Sequence, residues 1–435
     1  MAGASIAAAT ARLRHRLRRR LRAPSAATHN ERVMYREAIF QAVSSAGAMS
    51  FISVFLVRLD APSWLVGLYT SLPALVTIIA VLPVGSFVQR QRNLVATVNW
   101  GRLVFRSVIA TFALLPLLPT SLAPYILVAA WSLVAVPGAA LNIAGTTVMG
   151  QATTPQRRLR MLSTRSAIMG LFSAGLGFLA GQWLDLAPYP GNYQLLFVSA
   201  LLAGLGSIWT LSQLNLPRVS LQEIDQRKRI SLSQMLPLIK STLPFRSFAI
   251  SAFVFRMGMS LPMALFPIYR VRVLGASDSW IGILLTVQHL LSVVVYFALG
   301  RLLTKRKYRR WLWVACLGAA LFPATTALAK TPEMLLIPAA IGGLISPGMN
   351  IFLTNTLFQV SPEDQRPAFV ATNSFLSNIT AFAAPLLGTL LADATSISLA
   401  LMIAAGVRIV GGLAFWHLGV GSEKLGPGSI SSISV

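Results

Sequence analysis

Charged residues and cysteine are both scarce in this chain of 435 residues. Only 11% of the residues are Asp, Glu, Lys or Arg, whereas soluble proteins carry about 25%. Hydrophobic residues make up 55% of the chain, which leaves too little polar surface for a soluble fold. The single cysteine, Cys316, lies in an apolar run, cannot form an intrachain disulfide, and is interpreted as a packing residue. A composition with so few charged residues excludes an ordinary water-soluble globular protein.

Acids and histidines are also few, with 12 Asp and Glu against 37 Lys and Arg, for a net charge of +25. Nucleic-acid binding is excluded because the cations lie at the ends of apolar segments and form no continuous face. The four histidines (His15, His29, His289 and His417) do not have metal-ligand spacing. The chain also contains no phosphate-binding glycine loop with a lysine. We therefore expect no metal, no cofactor, no ATP hydrolysis and no enzymatic activity.

The chain consists mainly of apolar segments of spanning length, since about 20 helical residues cross the roughly 30 Å of bilayer hydrocarbon. Twelve spans are predicted, at 33–57, 65–88, 94–117, 124–149, 166–186, 193–213, 244–268, 280–302, 311–329, 335–359, 371–392 and 396–420. We find no cleavable signal peptide, because the first span is too long for a signal core. The predicted fold is an all-α polytopic membrane protein.

The loops between these spans are basic on alternate sides. Only four of the 37 cations fall on the sparse side: Arg58, Arg270, Arg272 and Lys330. Because Lys- and Arg-rich loops stay in the cytoplasm, both termini are predicted to be cytoplasmic. The expected location is the plasma (inner) membrane of a bacterium.

The longest polar stretch divides the spans into two groups of six. The predicted domains are a basic cytoplasmic tail (1–30), an N-terminal six-helix bundle (31–214), a central cytoplasmic loop (215–243), a C-terminal six-helix bundle (244–420) and a C-terminal tail (421–435). Within the first tail, residues 12–22 place seven arginines around an apolar helical face. This segment could lie on anionic lipid or act as an organellar transit peptide. We favour a solvated tail that reinforces orientation.

The two groups of spans are similar to each other, which indicates pseudo-symmetric halves. Gly67 and Gly85 of span two are 18 residues apart, as are Gly282 and Gly300 of span eight, and both runs end in a basic turn. Ser166 and Asp185 in the first group correspond to Ser374 and Asp393 in the second. Likewise, Pro137-Gly138 corresponds to Pro347-Gly348. Parallel halves of this kind are typical of secondary transporters, whose binding site lies between the halves near the bilayer midplane.

The twelve spans, the central loop and the turns after spans two and eight resemble the major facilitator superfamily over about residues 31–420. That family's turn reads Gly-x-x-x-Asp-Arg-x-Gly-Arg-Arg. The corresponding residues are Gly85, Gln89, Arg90 and Arg92 in the first copy and Gly300, Thr304 and Lys305 in the second. The resemblance implies a gating role for both turns and alternating access for the protein. The acid of the family's ionic contact is replaced by Gln89 and Thr304, so weaker hydrogen bonds would have to take its place.

Ionisable side chains within spans cost about 2.5–3.5 kcal/mol each, so each should meet a cavity or a partner. Glu37 lies in span one with Gln41 one turn on; it contacts substrate, or it reaches back to Arg36 or to headgroups. Arg256 lies near the middle of span seven, and its guanidinium suits carboxylate or phosphate. The alternative for Arg256 is an ion pair with Glu37 across the two halves.

Other polar residues within spans are weaker candidates for substrate binding. Gln288 and His289 lie in span eight, where His289 could carry a coupling proton or simply pack. Asn142 and Asn350 each have a threonine one turn on, and they line the cavity or bond neighbouring helices. The remaining candidates are Arg102, Arg106 and Arg408, for which we favour a supporting role in capping carbonyls or binding headgroups.

We therefore expect a secondary transporter that moves a small organic solute by alternating access, with export favoured. An uptake carrier or exchanger for an organic anion is the nearest alternative. A non-transporting membrane sensor or scaffold of the same fold is the alternative from another class. The expected partners are a small-molecule substrate and the lipid bilayer, with protons as a further candidate. The protein is expected to be a monomer.

Overall fold

The computed structural model describes residues 26–216, 242–302, 308–362 and 366–420, and within them every regular element is a helix. The N-terminal half contains α1 (Ala26–Ala42, Val43–Met49 and Ser50–Arg58), α2 (Ser63–Gln89), α3 (Leu94–Thr111, followed by a 3₁₀ segment at Phe112–Leu117), α4 (Ala123–Leu133 and Ala135–Gln151), α5 (Pro155–Leu186) and α6 (Gly191–Leu211). The C-terminal half contains α7 (Leu243–Ser260, Leu265–Ile268 and Tyr269–Val273), α8 (Asp278–Leu302), α9 (Tyr308–Leu328), α10 (Pro332–Leu335 and Leu336–Val360), α11 (Arg366–Ala394) and α12 (Ile397–His417).

Eleven of these helices are long and apolar enough to cross a membrane, and α9 contributes the shorter apolar stretch Val314–Leu328. The prediction of an all-helical, multi-pass membrane protein is confirmed. The twelfth crossing and the cytoplasmic termini stay predictions. Helix α1 begins at Ala26, so the boundary predicted at residue 30 lies inside a helix. The arginine-rich segment 12–22, most of the central loop and the C-terminal tail lie outside the described residues.

Local chemistry explains where several helices begin and break. Asn93 caps α3 by accepting from the Ala96 N–H at 3.1 Å, and Ser396 caps α12 by accepting from the Leu399 N–H at 3.2 Å. Helix α7 is interrupted after Ser260, where Pro262 has no N–H to donate to the preceding turn. The breaks divide long apolar segments without ending the span.

Helices α5 and α8 run antiparallel to each other between the two halves. The Thr286 hydroxyl of α8 donates to Ala174 O of α5 at 2.8 Å. A methyl group added at Gly170 would meet Val293, whereas one added at Gly181 would meet Asp278. The end of α5 therefore lies beside the start of α8, and the two helices form the main interface between the halves.

The two ends of the bundle have different chemistry. At one end, the Asn30 side chain donates to Asn215 O at 3.0 Å, and Glu31 pairs with Arg157 at 2.8 Å. We call this end the basic side, because the predicted basic loops lie there. We call the opposite end, where α1 and α5 end and α8 begins, the gate side. The apolar core at the gate side contains residues from both halves, including Phe55 and Ile281.

Candidate functional site

A cavity of about 360 Å³ lies where α1 and α5 of the N-terminal half face α8 of the C-terminal half. Its lining residues are Ser45, Ala46, Ser50, Ser166, Met169, Gly170, Ser173, His289, Ser292, Val293 and Tyr296. Five serines and one tyrosine supply hydroxyl groups, and the described residues of the lining include no acid, lysine or arginine. The volume suits a small organic molecule, and the position between the halves is that of a transporter's binding site. We therefore treat it as the candidate substrate site.

Helix α1 widens into a π-helix at Val43–Met49, beside this cavity. Such π-helical turns occur frequently at functional sites. Ser45 Oγ donates to Gln41 O at 2.8 Å, and Ser50 Oγ donates to Ser45 O at 3.0 Å. A hydroxyl that donates its hydrogen to its own helix keeps its lone pairs for a ligand. Helix α1 therefore presents hydrogen-bond acceptors to the cavity.

Helix α8 presents acceptors from the opposite wall. His289 Nδ1 lies 2.7 Å from Leu285 O. Since a carbonyl only accepts, Nδ1 carries the hydrogen, and Nε2 is an acceptor whenever the ring is neutral. Ser292 Oγ lies 2.8 Å from Gln288 O and 3.2 Å from Gly343 O. Gly343 O lacks its usual helical donor because residue 347 is a proline. The Ser292 hydroxyl can therefore replace the donor that α10 lacks.

Gln288, next to His289 in the chain, lies against a different helix. A methyl group added at Gly343 of α10 would be 2.6 Å from Gln288 O. Gln288 is thus close-packed within the C-terminal half, and its predicted substrate contact stays a prediction.

An ion pair joins the two halves at the gate side. Arg58 Nη2 of α1 lies 2.9 Å from Asp278 Oδ1 of α8, and the same nitrogen donates to Ala276 O at 3.1 Å. The Tyr193 hydroxyl of α6 donates to the other carboxylate oxygen of Asp278 at 2.8 Å. Asp278 is buried, with 4% of its surface exposed. These contacts hold α1 and α6 against the start of α8.

A carboxylate of the N-terminal half caps a helix of the C-terminal half. Asp185, at the end of α5, accepts from the Asp278 N–H at 3.0 Å and from the Ser279 N–H at 2.9 Å. A carboxylate at this position also complements the positive end of the helix dipole. Arg272 of α7 adds a further contact between the halves by donating to Ala61 O.

Glycines allow α5 and α8 to approach closely beneath the gate contacts. A methyl group added at Gly181 would be 2.5 Å from Asp278 O, and one added at Gly282 would be 2.6 Å from Gly177 O. Only glycine allows backbones to pass at these distances. Together with the polar contacts, this packing gives a conformation closed at the gate side.

Glu37 is fully buried and binds arginines of its own half. Its carboxylate lies 2.7 Å from Arg102 of α3 and 2.9 Å from Arg165 of α5. The Ser207 hydroxyl of α6 lies 3.4 Å from the same carboxylate. The expectation that Glu37 reaches back to Arg36 or to headgroups is therefore wrong. A buried carboxylate binds the cations that three-dimensional packing brings closest, and Arg165 is 128 residues away in the sequence.

Arg106 lies one turn after Arg102 and extends the same cluster. It donates to Gln41 Oε1 at 3.3 Å and contacts the sulfur of Met49 at 3.2 Å. Gly204 of α6 provides the space for the Arg106 stem, because a methyl group there would lie 2.7 Å from it. The cluster thus has three cations (Arg102, Arg106 and Arg165) and one carboxylate, that of Glu37.

Arg256 has an amide partner in α11. Its Nη1 donates to the Asn373 carbonyl at 3.3 Å and to the Asn373 side-chain oxygen at 3.2 Å. The alternative Arg256–Glu37 pair across the halves is not formed in this conformation, since Glu37 is bound to Arg102 and Arg165. Arg256 keeps its predicted substrate role as a proposal.

Arg408 of α12 has the supporting role that we expected. It is 2% exposed and donates to Gly258 O at 2.9 Å and to Ala319 O at 2.6 Å. Residues 262 and 323, which would normally donate to these carbonyls, are both prolines. The guanidinium therefore replaces two missing backbone donors and joins α7, α9 and α12.

The remaining predicted residues that the structure describes do not line the 360 Å³ cavity. Asn142 and Asn350 are exposed on α4 and α10. In the first turn, Gly85 packs on Ile143, Gln89 ends α2, and Arg90 and Arg92 are exposed. In the second turn, Gly300 lies within α8, while Thr304 and Lys305 lie outside the described residues. Their gating role stays a prediction.

Sequence reasoning did not identify the gate residues or the partners of Glu37. One signal was available for the gate, because Arg58 and Arg272 are two of the four cations on the sparse side. The predicted span five begins at residue 166 and so leaves Arg165 in a loop, whereas α5 begins at Pro155 and includes it.

Comparison with known proteins agrees with the all-helical, membrane-spanning fold described above. The sequence profile described as Major Facilitator Superfamily matches residues 38–332 and 248–432, whereas no curated protein sequence matches the chain. A variant of the nucleoside transporter NupG has a similar structure, with a TM-score of 0.64 and 12% identity, over 89% of this chain and 99% of that one. The xylose transporter XylE from E. coli, inward open, has a TM-score of 0.63 and 13% identity, over 90% of this chain and 95% of that one.

The human organic anion transporter MFSD10 has a TM-score of 0.61 and 10% identity, over 90% of this chain and 100% of that one. At such identities the solved structures show only that the fold is shared. The substrates in their names are those of the relatives and are not assigned to this chain. The profile, however, covers well over half of the sequence. The chain therefore belongs to the Major Facilitator Superfamily, a family of membrane transporters.

Proposed function

We propose that this protein is a secondary transporter that exports a small organic solute by alternating access between its two halves. The observation that carries the proposal is the cavity of about 360 Å³ between α1, α5 and α8, together with the ion pair of Arg58 and Asp278 at the gate side. A cavity formed by both halves can change its access only if the halves move relative to each other. The gate contacts must break for the cavity to open on that side.

The proposed orientation places the basic side in the cytoplasm of a bacterial cell, in the inner membrane. It rests on the distribution of lysine and arginine among the loops. In this orientation the gate side is periplasmic, and the described conformation is closed to the periplasm. We propose that the protein acts as a monomer.

The chemistry of the cavity favours a substrate that is neutral or weakly basic. Ser45 and Ser50 present acceptors, and His289 does so when its ring is neutral, so a matching solute would donate hydrogen bonds from hydroxyl or amine groups. Since the lining residues that the structure describes include no arginine or lysine, an anion would find no fixed positive charge among them to compensate for its desolvation. His289 is also the residue of the cavity that could accept a coupling proton.

Arg256 favours a second candidate function, the transport of an organic anion. Its guanidinium is half-buried in α7, and the partner that the structure gives it is the neutral side chain and backbone of Asn373. A carboxylate or phosphate group would be a stronger partner than an amide. In this alternative the substrate would displace Asn373.

Reconstitution into liposomes tests both candidates. Uptake would be measured for neutral amphiphiles, weak bases and organic anions, with and without a pH gradient, in vesicles of known protein orientation. We expect transport of neutral or weakly basic compounds, and loss of that transport in His289→Leu but not in His417→Leu, since His417 is exposed at the end of α12. Transport of anions alone, lost in Arg256→Gln with unchanged thermal stability, would favour the second candidate. Transport of none of the compounds would favour the sensor or scaffold reading.

A further inference from the structure

A second cavity, of about 720 Å³, lies on the surface of the N-terminal half and is lined only by α2, α3, α4 and the turn between α2 and α3. It is a groove with two chemically different ends. Arg90, Arg92 and Asn93 of the turn form the polar end at the basic side, whereas Val104 and Val136 lie at the apolar end. We call it the α2–α4 groove.

The length of the α2–α4 groove matches one leaflet of a bilayer. Val104 lies ten residues after Leu94, the first residue of α3. At 1.5 Å per residue this is about 15 Å along the helix, which is half of the roughly 30 Å of hydrocarbon. Pro137, next to the interruption of α4 at Val134, lies in the groove wall. The groove thus extends from the membrane surface to the level of the ends of the acyl chains.

The two large aromatic side chains that line the groove are mostly exposed. Trp100 is 68% exposed and Phe87 is 57% exposed, which in a membrane means contact with lipid. Arg90 and Arg92 are exposed beside them, and no acid is among the described residues that line the groove. The polar end therefore carries two positive charges and has no opposite charge in its own lining.

We propose that the α2–α4 groove binds an anionic phospholipid of the leaflet on the basic side. Its phosphate lies at Arg90 and Arg92, and an acyl chain runs past Trp100 to Val104 and Val136. Guanidinium groups bind phosphate through charge-assisted hydrogen bonds, and an exposed tryptophan near the membrane surface is typical of headgroup contact. This site is separate from the substrate cavity and does not depend on the transported solute.

Native mass spectrometry of the purified protein with phosphatidylglycerol or phosphatidylcholine tests the proposal. We expect at least one phosphatidylglycerol to bind more tightly than phosphatidylcholine. The double variant Arg90→Gln/Arg92→Gln should bind phosphatidylglycerol about 25-fold more weakly, about fivefold for each cation. Arg160→Gln is the matched control, because Arg160 is exposed at the basic side of α5 but does not line the groove.

Two further variants keep the test decisive if the double variant fails to fold. Val136→Trp fills the apolar end, leaves both arginines in place and should also lose the lipid. Arg90→Lys/Arg92→Lys keeps the charge and should retain most of the affinity.

Three results would overturn the proposal. The first is equal binding of phosphatidylglycerol by the wild type, Arg90→Gln/Arg92→Gln and Val136→Trp. The second is equal affinity for phosphatidylcholine, since the two arginines would then contribute nothing. The third is competition by inorganic phosphate as strong as that of the lipid, because the apolar part of the groove would then be unused.

Discussion

Arg58 and Asp278 form an ion pair, with 2.9 Å between Nη2 and Oδ1, that joins the N-terminal half to the C-terminal half. The pair lies at the end of the bundle opposite to the turns of the family's signature. Those turns have Gln89 and Thr304 where the family has an acid. Among the described residues, the ion pair that joins the two halves therefore lies at the gate side.

Neutralising Asp278 should open the gate more often. In Asp278→Asn, the loss of the charge pair should increase labelling of a cysteine at Ala276, which is 1% exposed, by an impermeant maleimide. We expect the labelling rate to rise about tenfold, which corresponds to a loss of about 1.4 kcal/mol from the closed state. We expect no larger change, because a third of the Arg58 side chain is exposed and solvent weakens the ion pair. The background is Cys316→Ala.

Asp393→Asn is the matched control for this experiment, because Asp393 is exposed on α11 and corresponds to Asp185 in the other half. Faster labelling in both variants would show that the effect is not specific to the ion pair. An unchanged rate in Asp278→Asn would mean that the ion pair does not hold the gate.

A methyl group at Gly181 should force α5 and α8 apart. Gly181→Ala would place a carbon 2.5 Å from Asp278 O, and overpacking of this kind costs about 1–3 kcal/mol. We expect a lower unfolding temperature and faster labelling at Ala276→Cys. Gly175→Ala on the same helix has nothing within 4 Å of the added carbon and should behave as the wild type. Equal behaviour of the two variants would contradict the close packing of α5 against α8.

Removing the charge of Glu37 should destabilise the N-terminal half rather than only slow transport. Glu37→Gln leaves Arg102 and Arg165 without their buried carboxylate, at a cost of about 3 kcal/mol. Thermal unfolding in detergent would measure the loss, and Glu333→Gln, an exposed acid, should have no effect. Adding Arg165→Gln should restore part of the stability by removing one unpaired cation. A stable Glu37→Gln that loses only the response to a pH gradient would instead identify Glu37 as a proton carrier.

Arg408 should be required for the packing of α7, α9 and α12. Arg408→Met leaves Gly258 O and Ala319 O without donors, which costs about 1–3 kcal/mol for each buried group. The variant should unfold at a lower temperature, whereas Arg246→Met, at an exposed arginine of α7, should not. Normal stability of Arg408→Met would show that water or another side chain replaces the guanidinium.

The spans were predictable because apolar length and the charge of loops are local properties of the sequence. The interactions of Glu37 were not, because its partners come from α3 and α5 and depend on how the helices pack. The role of Arg408 was predictable only in part. Pro262 and Pro323 indicate that the carbonyls at 258 and 319 lack donors, yet only the structure shows which side chain supplies them.

Distances between spin labels test the movement of the two halves most directly. In a Cys316→Ala background, one label pair at Ser212 and Gln359 would report on the basic side, and a second pair at Leu186 and Lys330 would report on the gate side; all four residues are exposed. We expect that adding substrate, or the substitution Asp278→Asn, shortens the first distance and lengthens the second. Two distances that stay fixed under every condition, in a protein that transports, would contradict alternating access.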